Sequence, residues 1–144
     1  MDYFSTMAIS AAGMTAQKAR IEAATLNLAN MNTSIAAGTQ GYRPVTAVIH
    51  SQSRSFASRF ANGAEHMGLV KAELVTQAGL ATRSVYEPGH PDADAAGMVS
   101  YPAVDHAGEM MTVMTALRAY EANLTAMQAT RMLAAKALEI GSPS

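Results

Sequence analysis

The chain has 144 residues, enough for one compact domain or for a small domain with long extensions, but not for two full-sized domains. Hydrophobic residues make up 49% of it, yet aromatics make up only 6% and tryptophan is absent, so alanine, methionine and leucine carry the apolar surface and favour helix over sheet. The absence of cysteine excludes disulfides, thiolate zinc sites and cysteine nucleophiles, and a formal net charge of -1 without any lysine or arginine run argues against nucleic-acid binding.

The amino terminus does not have the form of a secretory signal. Asp2 stands where a signal needs a basic region, and no uninterrupted apolar core of signal length follows it. The sequence also has no stretch of about 18 apolar residues, so it predicts no membrane-spanning helix. If the protein works outside the cytoplasm, we expect it to leave by another route.

A long amphipathic helix is predicted from residue 3 to residue 31, where Gly13 is almost the only helix breaker. Apolar residues recur in it at every seventh position and share one stripe, and a weaker row follows three positions later. The stripe consists of Met7, Met14, Ile21 and Leu28, and the weaker row of Ser10, Gln17, Ala24 and Met31. Because the helix cannot bury this stripe by itself, it needs a partner surface.

The middle of the chain is predicted to be loop and β structure. Turn-forming residues interrupt the helical pattern after Thr33, and the β-branched run 45–49 predicts a strand. Residues 69–75 and 82–86 are weaker strand candidates, since alanine and glutamate dilute them. Segment 87–97 is dense in proline, glycine and aspartate, which indicates an ordered loop.

A second long helix is predicted from Asp105, an N-cap residue, to residue 140, before Gly141 and Pro143 end it. Residues at alternating steps of three and four form a heptad seam with one charged member. The seam consists of Met110, Val113, Leu117, Tyr120, Leu124, Met127, Arg131, Ala134 and Leu138. The two helices would be roughly 40 and 50 Å long, too long for the segment between them to wrap.

The sequence therefore predicts a mainly α fold, in which long N- and C-terminal amphipathic helices pair as a coiled coil around a small, partly β central insert. The divisions are residues 1–32, 33–104 and 105–144. Seams that extend beyond their own domain expose apolar surface, and such surface normally marks an association site that builds rings or filaments. The expected interface residues are Met7, Met14, Ile21, Leu28, Met110, Val113, Leu117, Tyr120, Leu124, Met127, Arg131 and Leu138.

Two features of the second helix allow more than one interpretation. Arg131 could be a snorkelling residue tolerated in the seam, or a register-setting group paired with a carboxylate of a neighbouring subunit. Residues 120–123 could be helix surface around one core tyrosine, but an intersubunit contact is the favoured interpretation.

No catalytic or cofactor site is predicted. His90, Asp92 and Asp94 lie close together as a hard-metal site would require, but the surrounding prolines and alanines favour a turn whose aspartates cap backbone groups. His50, His66 and His106 are scattered. Six of the eleven methionines lie on or beside helical stripes, which indicates packing and not metal trafficking.

Several motifs resemble a known family. SAAGMTAQ at 10–17, NLANMNT at 27–33 and Gly41-Tyr42 are similar to the amino-terminal signature of flagellar rod and hook axial proteins. YEAN at 120–123 and KALEIG at 136–141 resemble the carboxy-terminal signature, and VYEPGHPDADAAG at 85–97 with YPAVD at 101–105 resembles the block typical of proximal-rod members. Met98 and Ala103 depart from the family, which usually has an aromatic and an asparagine there, as a divergent or second copy could.

The resemblance implies a structural subunit of the flagellar proximal rod that is not an enzyme. Its implied partners are copies of itself, other rod proteins, membrane-ring and rod-adaptor proteins, and the flagellar type III export apparatus. The implied location is the basal-body rod in the periplasm, reached without signal cleavage. A helical adaptor or chaperone-type binding module of the export system is the alternative function.

Overall fold

The computed structural model describes residues 3–36, 39–51, 70–77, 79 and 82–141. Within these residues the fold consists of two long helices and two antiparallel strand pairs, so the predicted mainly helical architecture with a small β insert is confirmed. In chain order the elements are α1 (Tyr3–Asn30), β1 (Val45–Ser51), β2 (Val70–Thr76), β3 (Thr82–Tyr86), β4 (Met98–Pro102) and α2 (His106–Gly141).

The two helices pack along each other in antiparallel directions. Asn27, near the end of α1, bonds to Glu109 at the start of α2, and Gly13 lies against the side chain of Asn123. The step of fourteen residues back along α1 from Asn27 to Gly13 equals the step forward along α2 from Glu109 to Asn123. A single register therefore holds over about 20 Å of the pair.

Only part of the predicted seam of α2 faces α1. Most of the less exposed residues of α2 alternate at steps of four and three, with Gly108 and Ala119 beside them; the row is Glu109, Val113, Ala116, Tyr120, Asn123, Met127, Thr130 and Ala134. Val113, Tyr120, Met127 and Ala134 belong to the predicted seam as well, whereas its other members are exposed. The facing row contains alanine, threonine and asparagine, which allow a closer approach of the helices than leucine would.

The contact face of α1 is also built from small residues. Its buried residues are Ser10, Ala16, Ala23, Ala24 and Asn27. The predicted methionine-rich stripe runs beside this face and is only half-buried. The weaker row of the sequence pattern thus supplies Ser10 and Ala24 to the contact. The hydroxyl of Ser10 donates to Thr6 O in its own helix (3.1 Å), so its burial leaves no unpaired donor.

The first strand pair lies beside α1. Strands β1 and β2 pair in register from Val45 opposite Thr76 to Ser51 opposite Val70. These strands confirm the predictions for 45–49 and 69–75, with ends displaced by one or two residues; Leu69 lies outside the described residues.

The second strand pair contains β3, as predicted, and β4, which the sequence pattern did not predict. Val99 is fully buried, Tyr101 is 9% exposed, and Ile35 N donates to Ser100 O (2.8 Å), which ties β4 to the segment after α1. Between β3 and β4 the chain turns through Gly97, whose φ of +76° suits glycine, and a Cβ there would lie 2.9 Å from the Tyr86 ring.

Candidate assembly surfaces and the Asn27 junction

Asn27 is the central hydrogen-bonding residue of the fold. It is 3% exposed, and its amide Nδ2 donates to Val45 O (2.9 Å) and Glu109 Oε1 (2.7 Å). Its Oδ1 accepts from the Tyr42 hydroxyl (2.8 Å) and from Val45 N (2.8 Å). All four hydrogen-bonding positions of the amide are used. One side chain therefore joins α1, the following loop, β1 and α2. We call Asn27 with Tyr42, Val45 and Glu109 the Asn27 junction.

Tyr42 and Glu109 complete this junction from opposite sides of the amide. Burial raises the pKa of the Tyr42 hydroxyl, and the Glu109 carboxylate raises it further because it repels a phenolate. The neutral, hydrogen-bond-donating form of Tyr42 is thus the one that the junction favours. Asp105 caps the amino terminus of α2, one turn before Glu109. Its Oδ1 accepts from Ala107 N (3.1 Å), as the predicted N-cap requires.

Two aspartates of the loop between β3 and β4, Asp92 and Asp94, form hydrogen bonds with other residues of the chain. Asp94 Oδ1 accepts from Ala96 N (2.8 Å) and Met98 N (2.9 Å), which agrees with the predicted capping turn. Asp92 Oδ2 accepts from Ser34 Oγ (2.5 Å), and Asp92 N donates to His90 Nδ1 (3.1 Å). Among the described residues, no group of three or more acidic or histidine side chains is placed to hold a metal ion.

Tyr101 anchors the same strand pair. Its hydroxyl donates to Glu87 Oε2 (3.2 Å), and the Arg83 guanidinium lies 5.6 Å from the centre of its ring. Burial raises the pKa of Tyr101, and the Glu87 carboxylate adds to this rise. The turn and the strand pair therefore form one connected structure, which Ser34 and Ile35 tie to the segment after α1.

One surface of α2 exposes large apolar side chains at heptad spacing. We call Met110, Leu117, Leu124 and Leu138 the outer row; they are 43%, 44%, 38% and 76% exposed. Arg131, also exposed, occupies the heptad position between the last two. The outer row flanks the face of α2 that α1 covers, since Leu117 lies within about 60° of Val113 and Tyr120 around the helix. Neither α1 nor α2, within the described residues, has the length and apolar character needed to span a membrane.

A cleft opens between the carboxy-terminal half of α1 and the start of α2. Its volume is about 570 Å³, and the beginning of β1 closes one end. Ala23, Ala24 and Ala116 form its apolar floor, while Arg20 and Thr115 line its sides. We call this the α1–α2 cleft. The sequence pattern did not predict it, because it forms only where the two helices and β1 meet.

The remaining residues considered in the sequence fall into three groups. Met7, Met14, Ile21 and Leu28 are half-buried beside the contact with α2. Tyr120 and Asn123 are half-buried on the side of α2 toward α1, whereas Glu121 and Ala122 are exposed. His50 and His106 are exposed, and His66 lies outside the described residues.

Sequence reasoning missed Asn27, Glu109 and Arg20 as individual functional residues. Asn27 lies inside the NLANMNT motif, and a polar amide between Leu26 and Leu28 of a predicted helix was the available signal. Nothing local marks Glu109 or Arg20, because their roles depend on residues far away in the chain.

The comparison with known families gives the class of protein. Residues 95–140, which include β4 and nearly all of α2, match the family model described as flagellar basal body rod FlgEFG protein C-terminal. The matched segment therefore includes the outer row of α2. The chain thus belongs among flagellar basal-body rod proteins.

Relatives narrow the class to one family. The chain is 38% identical to the flagellar basal-body rod protein FlgC of Bacillus subtilis strain 168, over 98% of this chain and 99% of the relative. It is 35% identical to FlgC of Escherichia coli O6:H1 and 33% identical to FlgC of Salmonella typhimurium, each over 92% of this chain and 93% of the relative. The chain belongs to the FlgC family of flagellar basal-body rod proteins. These relatives are rod proteins, which is consistent with the expectation that the chain is not an enzyme.

Proposed function

We propose that the chain is a structural subunit of the proximal rod that polymerises through α1 and α2 and transmits torque from the membrane-embedded motor to the distal rod and hook. The outer row supports this proposal most directly. Its leucines are 38–76% exposed on the flank of a helix whose adjoining face is covered by α1, so their full burial requires another molecule. In this proposal the twelve interface residues expected from the sequence contribute to contacts between subunits, either directly or by shaping the helix pair.

The helix pair is the unit that polymerises in this proposal. Alternating steps of three and four in the contact face of α2 support supercoiling of α1 and α2 as a coiled coil. Residues 1–32 and 105–144 then form the axial part, and residues 33–104 form an insert. The Asn27 junction fixes the position of the insert on the helices, which suits a subunit that must carry torsional load.

The proposed partners are copies of this chain, other rod proteins, and membrane-ring and rod-adaptor proteins at the base. The flagellar type III export apparatus would deliver the chain to a periplasmic rod without cleavage of a signal peptide. The names of the FlgC relatives, each described as a flagellar basal-body rod protein, support the location in the rod.

Purified basal bodies provide the test. A tagged chain should be present in basal bodies isolated from a strain that lacks its own copy, and electron microscopy should trace α1 and α2 in the rod density. Recovery of the chain only in a discrete soluble complex with an export component would contradict the proposal and support the adaptor function.

A further inference from the structure

The α1–α2 cleft and the outer row lie on opposite sides of α2. Thr115 lines the cleft and Leu117 belongs to the outer row, and two residues along a helix their directions differ by about 160°. If the surface on one side of a subunit binds the surface on the other side of the next copy, the contact joins two different patches and is heterologous. Such a contact continues into a ring or a helical array and does not stop at a dimer.

The cleft places an exposed cation beside an apolar floor, and the one carboxylate in its described lining, that of Glu109, already accepts a hydrogen bond from Asn27 Nδ2. Arg20 is exposed at the cleft, and among the described residues no carboxylate lies within ion-pair distance of its guanidinium. Ala23, Ala24 and Ala116 leave room at the floor because their side chains are small. A volume of about 570 Å³ is within the range of roughly 300–1,000 Å³ that is usual for binding clefts.

The middle of α2 presents the complementary pattern. Leu117, Glu121 and Leu124 follow one another at steps of four and three, so they share one exposed face of the helix. Within the described part of the chain, the Glu121 carboxylate forms no ion pair. An apolar helix face with anchors at such spacing is the form in which helices bind grooves.

We propose that the α1–α2 cleft binds the Leu117–Leu124 face of a second copy of this chain, with Arg20 of one copy paired to Glu121 of the next. This rests on the proposed function, and it specifies which surfaces meet. The two leucines contact the alanine floor, while the ion pair at the edge sets the register. The second copy then presents its own empty cleft to a third copy, so the contact can repeat from one subunit to the next.

Charge reversal tests the pairing, because both charged residues belong to the same chain. Arg20→Glu, Glu121→Arg and the double variant are each expressed, as tagged full chains, in a strain that lacks its own copy. Lys18→Glu is the matched control, since Lys18 is an exposed cation of α1 outside the cleft. Immunoblots of isolated basal bodies measure incorporation, and circular dichroism of the purified chains checks that all variants fold alike.

We expect each single reversal to lower incorporation about tenfold, because like charges then meet at the contact. Incorporation of the double variant should return to near the wild-type level, and incorporation of Lys18→Glu should equal that of the wild type. Wild-type incorporation of both single variants would overturn the cleft contact while leaving the proposed function intact. A double variant no better than the singles would also overturn it, as when a different rod protein fills the cleft. Absence of the wild-type chain from basal bodies would reject the proposed function and this contact together.

Discussion

Asn27 donates a 2.7 Å hydrogen bond to Glu109, a residue 82 positions further along the chain, and this bond joins the end of α1 to the first turn of α2. The same amide accepts from Tyr42 and exchanges two bonds with the backbone of Val45. The position of the insert on the helix pair therefore depends on one buried side chain, and a buried polar group that loses its partners is costly.

Asn27→Ala should destabilise the chain by about 3 kcal/mol, since it leaves several buried partners unpaired at once. Asn27→Asp should be similarly damaging, because a carboxylate cannot donate to Glu109 and would repel it. Urea unfolding followed by circular dichroism measures both effects. Asn32→Ala, at an exposed asparagine just beyond α1, is the matched control and should change stability little. Equal stability of Asn27→Ala and the wild type would show that the junction does not hold the insert.

Alkaline pH should destabilise the junction through Tyr42. The pKa of Tyr42 is raised above 10.0 in the folded chain, so the unfolded state loses the proton first and binds fewer protons as pH rises. This contribution to stability is complete below pH 10 and is lost as pH increases through the folded pKa. Tyr101, whose pKa is also raised, acts in the same direction.

The melting temperature should therefore fall as the pH rises above about 10, and it should fall less steeply in Tyr42→Phe than in the wild type. At pH 7 the variant should be somewhat less stable than the wild type, because it lacks the hydrogen bond to Asn27. Differential scanning calorimetry across this range gives both quantities. Identical alkaline slopes for the two proteins would contradict the role assigned to Tyr42.

The sequence predicted the two helices because their periodicity is local, and it predicted β1 and β3 from short β-branched or turn-bounded runs. It missed β4, whose five residues become a strand only through pairing with β3 and the bridge from Ile35 to Ser100. It also treated the largest apolar side chains of α2 as one seam. The face toward α1 is instead chosen by residues of α1, where Gly13 leaves space for Asn123 and a Cβ would lie 2.8 Å from its Nδ2.

Neither the Asn27 junction nor the α1–α2 cleft could be predicted from the sequence, because each depends on how distant elements pack. Each combines residues from α1 and α2 with the start of β1, and sequence periodicity contains no information on their register. The outer row could be predicted as a set of apolar positions, but not as the flank of α2 that α1 leaves uncovered. That distinction requires the position of the partner helix.

Gln17 has a buried Oε1 atom without a hydrogen-bond partner among the described residues. Gln17→Leu should stabilise the isolated chain by about 1 kcal/mol, because it removes an unpaired polar atom from the helix contact. Gln128→Leu, at an exposed position of α2, should change stability by less than about 0.5 kcal/mol. Urea unfolding of both variants makes the comparison. A loss of stability in Gln17→Leu would indicate that the amide is paired in the folded chain.

Leu124→Asp separates folding of the chain from its assembly. Leu124 is 38% exposed and lies on the flank of α2 beside its contact with α1, so the isolated variant should lose only about 1–2 kcal/mol of stability relative to the wild type. In a rod contact the new carboxylate would be buried without a partner, which costs several kcal/mol, and every subunit would suffer this loss. Assembly should therefore fail while the chain itself still folds.

Export should continue in this variant, since an unfolded chain does not present the outer row. The variant should leave the cytoplasm but support neither hook nor filament, and immunoblots of the exported fraction together with swimming assays measure both steps. Thr125→Asp places the same charge one position further along α2, at an exposed residue outside the outer row, and should remain motile. Motility of Leu124→Asp would reject the outer row as a contact between subunits, and retention of the variant inside the cell would show that the same surface is needed for export.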